Sequence, residues 1–230
     1  MAVDRMSEET RGEPQYRELR RIVAERGLEE LGLGAGWAYY DDPRHLIFTL
    51  ARYKFVAKMF EGFETVLEVG CGDGFASRVV AQSVGALTGI DFDPVFVDNA
   101  RRRPRDRWKI EFDCHDPLEG PYAGEYQGIF ALDVLEHIPP ADEDRFLRNV
   151  LESLAPHGSV IFGMPSLESQ VHASPQSKAG HVNCKTGAEL RATLSGYFHN
   201  VFTFSMNDEV VHTGFAGMAH YLLALCCGKR

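Results

Sequence analysis

Short apolar runs alternate with stretches of helical periodicity through residues 63–230. One helical stretch places Phe146, Leu147, Val150 and Leu151 on a single stripe, as an amphipathic helix requires. The apolar runs are rich in branched and aromatic side chains, which is typical of buried strands. This alternation predicts an α/β fold in which a mostly parallel sheet carries helices on both faces. Strands are predicted at residues 65–69, 86–90, 108–112, 126–132, 159–164, 201–205 and 218–225.

Helices are predicted between these strands, where turn or capping residues precede an apolar stripe. Pro94 suits the first turn of one helix, because proline has a fixed φ and lacks the N–H that would stay unpaired there. Asp142 precedes another helix and is expected to cap it. The predicted helices cover residues 75–83, 94–103, 142–154 and 186–194.

Residues 1–62 do not follow this alternation and are predicted to form a separate N-terminal helical cap before the core at 63–230. Two amphipathic helices, at 14–30 and 43–60, flank a link at 31–40 that combines glycines with Trp37, Tyr39 and Tyr40. The link could be a mobile lid that presents aromatic faces to a substrate. Alternatively, the aromatic residues simply pack on the sheet. A polar loop at 166–180 could also cover the substrate.

Composition and charge limit the possible partners. The 230 residues are 44% hydrophobic, enough for a sizeable core, and the formal net charge is −9. A protein with a pI near 5.5 is unsuited to tracking a phosphate backbone. No nucleic-acid partner is therefore expected, and a small or neutral substrate is favoured.

Cysteine usage and hydropathy bear on location. The five cysteines have no C-x-x-C spacing, so they are expected to be reduced thiols in a cytoplasmic protein. No apolar run reaches membrane-spanning length, and no membrane partner is expected. The choice between monomer and homodimer stays open.

The densest chemical signal is the sequence Leu-Glu-Val-Gly-Cys-Gly-Asp-Gly at residues 67–74. Three alternate glycines after a strand let the backbone turn sharply and approach a ligand closely. Asp91 ends the next apolar run, where a carboxylate can accept both hydroxyls of a ribose. The spacing differs from the G-x-G-x-x-G that seats a pyrophosphate, and Glu68 suits an ammonium group better than a phosphate. These residues predict an adenosine-binding βαβ unit.

The pattern Glu68-Val-Gly70-Cys71-Gly72-x-Gly74 resembles motif I of the class I S-adenosylmethionine (SAM) methyltransferases. The resemblance extends over about residues 50–165. It implies a Rossmann-like seven-stranded sheet, six strands parallel and one antiparallel, and SAM as cofactor. It also implies that the acid and the loop hold the methionine end of SAM.

Three later segments add to this resemblance. Phe112-x-x-x-Asp116 is similar to motif III, whose acid usually accepts a hydrogen bond from the adenine amino group, with Asp113 as the rival acid. Residues 131–138 resemble the segment after strand four in ubiquinone-type O-methyltransferases. Arg52 lies near the position of an arginine that binds the SAM carboxylate in that subfamily. The predicted cofactor-binding residues are Arg52, Glu68, Gly70, Cys71, Gly72, Gly74, Asp91, Phe92, Asp116 and Asp133.

Methyl transfer from a sulfonium mainly requires in-line placement, because the leaving group is already activated. A hydroxyl acceptor also needs a base, whereas an amine only has to lose its proton. His181 is the first candidate base, because residues 180–183 resemble a histidine motif that follows strand five in bacterial members. His137 and Asp133, from the segment after strand four, are the other candidates. These three side chains could converge on a metal ion, but no spacing demands one, and no metal is predicted.

The predicted function is methyl transfer from SAM to a hydroxyl of a small molecule, such as a sugar or a natural-product intermediate. Small-molecule N-methylation is one alternative. Methylation of protein or RNA is another, although the nearest string to a Pro-Pro-aromatic motif is Ile-Pro-Pro-Ala at 138–141. A non-catalytic adenosine-binding module also stays open. Aminopropyl transfer uses the same fold, but an Arg52 that binds a carboxylate would argue against it.

Overall fold

The computed structural model describes residues 13–103 and 107–230. It divides into two compact units, one ending at Leu31 and the other comprising Gly32–Arg230. The described part of the first unit contains helix α1 (Gln15–Arg26). Arg21 forms ion pairs with Glu18 and Glu25 along this exposed helix, which is followed by Gly27 with φ 79°. Residues 1–12 of the predicted cap lie outside the described residues.

The second unit is built on a sheet with the strand order β3-β2-β1-β4-β5-β8-β6-β7. Strands β1 to β5 are parallel to one another, β8 is antiparallel to both β5 and β6, and β6 is antiparallel to β7. The strands are β1 (Thr65–Val69), β2 (Ala86–Asp91), β3 (Ile110–Cys114), β4 (Tyr126–Leu132), β5 (Leu154–Pro165), β6 (Phe198–Asn207), β7 (Val210–His212) and β8 (Tyr221–Lys229).

The sheet has eight strands, so the predicted number of seven was wrong by one. The additional strand is β7, which has only three residues and pairs with the end of β6 through Ser205 opposite His212. Asp208 turns the chain between the two strands with φ 50°. A three-residue run is too short to show alternation in the sequence, although residues 201–205 and 218–225 were recognised as strands. The mostly parallel α/β architecture was confirmed.

Seven helices accompany the sheet in the described part of this unit. They are α2 (Leu33–Asp41), α3 (Arg44–Met59), α4 (Ser77–Ala81), α5 (Pro94–Arg102), α6 (Glu143–Glu152), α7 (Pro175–Gly180) and α8 (Gly187–Ser195).

Three predictions about these helices were wrong. The link at 31–40 contains the helix α2 rather than a loop. The loop at 166–180 contains a 3₁₀ turn (Glu168–His172) and α7, which Ser174 caps by accepting from the amide of Ser177. Asp142 precedes α6 but does not cap it, because its carboxylate binds Arg145 at 2.7 Å instead.

Apolar side chains form a core on each face of the sheet. Neighbouring residues of β1 point to opposite faces: Leu67 packs with side chains of α6 and α8, whereas Val66 packs with Val56 of α3 and Val97 of α5. Helices therefore cover both faces, as predicted. No helix in the described part of the chain combines the length and the apolar character needed to cross a membrane.

Helices α2 and α3 differ in how they are held. Val56 and Ala57 of α3 are buried in the core, whereas α2 has no buried residue, and Trp37 and Tyr40 are exposed. A bond from the amide of Ala35 to Asp73 (2.8 Å) anchors α2. A lid formed by residues 1–62 stays a prediction.

Candidate active site

A cleft of about 650 Å³ opens at the carboxyl ends of β1, β2 and β4. The strand order reverses between β1 and β4, which is where open parallel sheets bind their ligands. The cleft therefore lies where the sequence predicts the cofactor. Its lining comprises Val69, Gly70, Gly72, Ile90, Asp91, Phe92, Asp93, Phe96, His115, Asp116, Pro117, Leu118, Asp133, Val134, His137, Ile138, Pro139 and Phe146.

The glycine loop after β1 forms one wall of the cleft. Gly70, Gly72 and Gly74 all have positive φ, at 76°, 52° and 67°, a conformation that favours glycine. Gly70 and Gly72 line the cleft. Gly74 is buried behind the loop, where a Cβ would clash with the Phe112 ring, so its role is in packing. Cys71 is also buried, and burial raises the pKa of its thiol.

Asp91 connects the loop to the end of β2. Its two carboxylate oxygens accept the backbone N–H groups of Gly72 (2.9 Å) and Asp93 (3.0 Å). A carboxylate has about four lone-pair sites, so each oxygen keeps the capacity to accept a ribose hydroxyl. Phe92, the next residue, lines the cleft and is 71% exposed.

The choice between the two acids near the end of β3 follows from their contacts. Asp116 accepts the N–H of Leu118 (2.8 Å) and lines the cleft together with His115. Asp113 instead binds Arg101 and Tyr122, at 3.0 and 3.2 Å. The strand ends at Cys114, two residues later than predicted, and this shift favours Asp116 as the acid nearer the adenine.

Glu68 lies beneath the glycine loop and has no exposed surface. The Tyr53 hydroxyl donates to its carboxylate at 2.6 Å. Burial raises the pKa of Glu68 to about 7, although the hydrogen bond from Tyr53 acts in the opposite direction. In this arrangement Glu68 supports the loop from below, and direct contact with an ammonium group would require the loop to move.

Asp133 follows β4 with a left-handed backbone, φ 57°. Both of its oxygens accept from one nitrogen of Arg52, at 2.6 and 2.9 Å, and the guanidinium lies 3.7 Å from the centre of the Tyr221 ring. The side chain of Arg52 is 14% exposed and that of Asp133 is 39% exposed. Arg52 therefore contacts Asp133, which lines the cleft, but is not itself among the lining residues. A contact between Arg52 and a ligand carboxylate stays a prediction.

The structure brings His137 and His181 together, with ring centres 5.1 Å apart. Nδ1 of His137 lies 2.9 Å from the carbonyl oxygen of Gly180, and Nδ1 of His181 lies 2.9 Å from the Gln170 side-chain oxygen. Nε2 of each ring is left for other contacts. Burial, and then the neighbouring His137, lower the pKa of His181.

Glu136 belongs to the same site, and the sequence analysis missed it. It lies in the 3₁₀ turn Leu135–His137 and has no exposed surface. Neither carboxylate oxygen has a hydrogen-bond partner among the described residues. Burial, and then Asp133, raise the pKa of Glu136. The available signal was the pairing of an acid with the neighbouring histidine just after a parallel strand.

The segment from Ser166 to Lys185 carries His181 and is closed at its base. Ser166 and Lys185 form an isolated β-bridge, and the amide of Leu167 donates to the Lys185 carbonyl at 2.9 Å. The Lys185 ammonium lies 2.8 Å from Glu143, whose side chain is 16% exposed. The Glu136 carbonyl also accepts the N–H groups of Val182 and Asn183. These contacts fix the position of the segment beside the turn after β4.

Residues 66–158 match a family model described as a methyltransferase domain. These residues form a class I methyltransferase domain. The matched region holds the glycine loop, Asp91, Asp116, Asp133 and His137, whereas Arg52 and His181 lie outside it.

Known proteins similar to the chain share this domain. The ubiquinone biosynthesis O-methyltransferase of Coxiella burnetii is 29% identical over 124 residues, which are 52% of this chain and 51% of the relative. The protein of the same name from Escherichia coli O127:H6 is 30% identical over 128 residues, with the same coverage. The chain thus spans about half the length of these relatives.

Solved structures match the fold over more of the chain. The N-methyltransferase NodS from Bradyrhizobium japonicum WM9, solved with S-adenosyl-L-homocysteine (SAH), is 22% identical, with a TM-score of 0.64 over 94% of this chain and 99% of NodS. A complex described as DhpI-SAM-HEP is 20% identical, with a TM-score of 0.61 over 95% of this chain and 99% of the other. At these identities the likeness shows the methyltransferase fold alone.

Proposed function

We propose that this protein transfers the methyl group of SAM to a hydroxyl of a small molecule. The observation that carries the proposal is that one cleft contains both the glycine loop with Asp91 and the side chain of His137, which contacts His181. The donor site and the groups that could activate an acceptor are therefore adjacent.

The donor half of the cleft fits the parts of SAM. In this proposal Asp91 accepts from the ribose hydroxyls, and Asp116, which lines the cleft together with His115, accepts from the adenine amino group. Phe92, Ile90 and Leu118 supply apolar contacts for the base. Gly70 and Gly72 leave room for the methionine end. Bound SAM supplies a methyl group that is attached to a sulfonium. When the methyl group is transferred, the remainder of SAM departs as a neutral thioether.

The acceptor half contains the groups that could remove a proton. A hydroxyl must lose its proton as the methyl group arrives, and His181, His137 and Asp133 are the candidate side chains for removing that proton. Because a carbonyl can only accept, Nδ1 of His137 donates to Gly180, and a neutral ring then has its lone pair on Nε2. The lowered pKa of His181 keeps that ring neutral near pH 7.

Two observations favour a small acceptor over a macromolecule. The net charge of −9 disfavours binding to a polyanion. The exposed aromatic residues of α2, Trp37 and Tyr40, and the closed segment Ser166–Lys185 are suited to covering an acceptor of limited size. The names of the relatives, O-methyltransferases, support a hydroxyl. The similarity to NodS makes small-molecule N-methylation the second candidate.

The proposal can be tested by supplying SAM with a carbon-13 methyl group to a cell extract that contains the protein and then separating the products by size. Label should enter the small-molecule fraction, and the NMR shift of the new methyl group distinguishes O–CH₃ from N–CH₃. Asp91→Ala should strongly reduce this labelling at a SAM concentration near the Kd of the wild type. Label found mainly in protein or RNA would overturn the proposal.

A further inference from the structure

Three polar side chains at the base of the segment that carries His181 form a closed set of bonds. The Glu143 carboxylate accepts from the Asn183 side-chain amide at 2.7 Å and lies 2.8 Å from the Lys185 ammonium. The ammonium also donates to the amide oxygen of Asn183 at 3.1 Å. The side chains of Lys185 and Glu143 are 12% and 16% exposed, and Asn183 is buried. An ion pair shielded in this way is screened by salt much less than a surface pair.

Glu143 attaches this set of bonds to a rigid element. It is the first residue of α6, whose buried side chains include Phe146 and Leu147. Both side chains belong to the core on one face of the sheet, and Phe146 also lines the cleft. The Glu143 carboxylate is consequently a fixed point on a helix that borders the cleft, and the segment is attached to it.

The attachment continues along the backbone to His181. The N–H groups of Val182 and Asn183 donate to the carbonyl of Glu136 at 2.8 and 2.9 Å. The residue after Glu136 is His137, and its ring centre lies 5.1 Å from that of His181. The two histidines therefore meet because residues 182–185 are bonded to the turn after β4 and to α6.

The other bonds of these two histidines do not replace this attachment. His181 bonds to Gln170 within the same segment, so this bond moves with the segment. His137 bonds to the Gly180 carbonyl at an exposed position and without a charged partner. Charge-assisted bonds are roughly twice as strong as neutral ones. The position of the His181 ring relative to the acceptor therefore depends mainly on the buried ion pair and its amide.

We infer that Glu143, Asn183 and Lys185 are positioning residues, which hold the His181 ring at the distance and angle that proton removal from the acceptor requires. The inference rests on the proposed function, in which His181 acts on a hydroxyl. None of the three lines the cleft that the described residues form, so they act through the segment and do not touch the substrate. A base works only within hydrogen-bond reach of its proton. A displacement of about 1 Å can cost about 100-fold in rate.

Removal of one partner of the ion pair should release the segment. The remaining charge would be buried without a counter-charge, which is a costly state. The cost is relieved when the charged side chain turns towards water. Lys185 then moves the base of the segment, because it pairs with Ser166 in the β-bridge. As a result, His181 should lose its position beside His137.

The first experiment is an NMR titration of the histidine rings in the full-length, SAH-bound protein, with the His181 signal assigned from His181→Ala. Burial, and then His137, lower the pKa of His181, whereas Asp133 acts in the opposite direction. Glu143→Leu should raise this pKa, because the ring leaves its buried position. The direction is decisive, since loss of a negative charge by itself would lower the pKa of a nearby histidine.

Lys185→Met should raise the pKa of His181 as well. Matched controls lie at exposed positions of the same helix, α6. Glu152→Leu removes a carboxylate, and Arg148→Met removes a cation from its ion pair with Asp144. Neither control should change the pKa of His181.

The second experiment is the transfer of labelled methyl groups from SAM to the small-molecule fraction. Glu143→Leu and Lys185→Met should each lower the rate by about 10- to 100-fold, while Kd for SAH stays within about threefold. Lys185→Arg keeps the charge and should lose much less activity. Both control variants should label at the wild-type rate.

A double variant, Glu143→Leu with Lys185→Met, separates positioning from cohesion. Replacement of both charges by apolar groups often leaves stability unchanged. The double variant should therefore unfold near the wild-type Tm, while the pKa of its His181 stays raised and its labelling rate stays low. Recovery of both quantities to wild-type values would overturn the inference, because cohesion alone would then be sufficient.

An unchanged pKa of His181 in folded Glu143→Leu and Lys185→Met would also overturn the inference. If neither single variant folds, the double variant decides the question. A wild-type protein that binds SAH but labels no small molecule would instead overturn the proposed function. The titration needs no acceptor, so it still decides whether the three side chains position His181.

Discussion

Asp91 and Asp113 are both acids at the ends of neighbouring parallel strands, but their surroundings differ. Asp91 lines the cleft and keeps lone pairs for a ligand, whereas the oxygens of Asp113 bind Arg101 and Tyr122. This difference makes the two residues a matched pair for testing donor binding.

Asp91→Ala should weaken SAH binding by roughly 30- to 150-fold. The variant loses two charge-assisted bonds at a partly buried site, which together contribute about 2–3 kcal/mol. Asp113→Ala, the control, should leave Kd for SAH within about threefold. Calorimetry on both folded variants provides the measurement. Unchanged affinity in Asp91→Ala would remove Asp91 from the binding site.

Glu68 should make the stability of the protein depend on pH. Its pKa is about 7 in the folded protein, compared with 4.5 for an ordinary glutamate, so the folded protein binds more protons between these values. Below pH 4.5 both the folded and the unfolded state are protonated, and the full stability is present. As pH rises to about 7 the unfolded state ionises first, so the free energy of unfolding falls by about 3 kcal/mol.

Replacement of Glu68 by Gln should remove this loss. Urea unfolding of wild type and Glu68→Gln at several pH values should show the wild type losing stability relative to the variant from pH 4.5 to about 7. The difference should be constant above that range. The exposed Glu119→Gln controls for removal of one carboxylate. A difference between wild type and Glu68→Gln that stays flat across this range would contradict the burial argument.

Sequence reasoning identified site residues where a motif and a strand end coincide. Asp91, Gly70 and Gly72 are examples, and all three line the cleft. It could not separate Gly74, which has the same spacing but serves packing against Phe112. It also missed Glu136, because burial without a partner is a property of the folded environment and leaves no mark on the sequence.

At the scale of elements, Phe112 of β3 packs over glycines from two other segments. A Cβ at Gly89 of β2 would lie 2.7 Å from the Phe112 ring and 2.9 Å from the Cβ of Cys71. Distances this short force neighbouring groups to shift. The close approach of the glycine loop, β2 and β3 therefore depends on Gly89 having no side chain.

Gly89→Ala should destabilise the protein by about 1–3 kcal/mol through overpacking. The cost should be smaller in a Phe112→Leu background, because a smaller side chain leaves room. Gly36→Ala is the control: no described atom lies within 4 Å of a Cβ there, and alanine in helix α2 should stabilise by up to about 1 kcal/mol. Equal losses for Gly89→Ala in both backgrounds, measured by denaturant unfolding, would exclude Phe112 as the cause.

Element prediction succeeded where local pattern and burial agree. The stripe of α6 and the apolar runs of β1, β2 and β4 are examples, since each element is fixed by its own buried face. Helix α2 was missed because two glycines within it, Gly34 and Gly36, disfavour a helix locally, while the partners of its amides, Asp73 and Asn99, are distant in the sequence. Strand β7 was missed because its existence depends on pairing with β6.

At the scale of the molecule, the boundary between Leu31 and Gly32 leads to different expected effects for two N-terminal deletions, of residues 1–31 and of residues 1–41. The sequence, which predicts a single cap at residues 1–62, gives no reason for such a difference. Residues 1–31 belong to the first unit. Helix α2 belongs to the second, where the amide of Ala35 donates to Asp73 and the amide of Leu33 donates to Asn99. Asp73 is only 8% exposed, so it would lose a partner in a buried position if α2 were removed.

Deletion of residues 1–31 should leave Tm and SAH affinity nearly unchanged. Deletion of residues 1–41 should cost about 1–3 kcal/mol, because one oxygen of the buried Asp73 carboxylate loses its bond from Ala35, and this lowers Tm by roughly 2–10 °C. If the aromatic residues of α2 cover the acceptor, the longer deletion should also abolish methyl transfer while SAH still binds. Thermal unfolding and an activity assay check both outcomes. A similar fall in Tm for both deletions would contradict the role given to α2.

The closed base of the segment Ser166–Lys185 has a consequence for how this protein can change. Its two ends meet at the β-bridge, so residues 167–184 form a loop whose anchor points stay fixed whatever its contents. Insertions and exchanges within such a loop carry only a small entropic cost. Under the proposed function, exchange of this loop between related proteins should change the range of acceptors and leave cofactor binding intact.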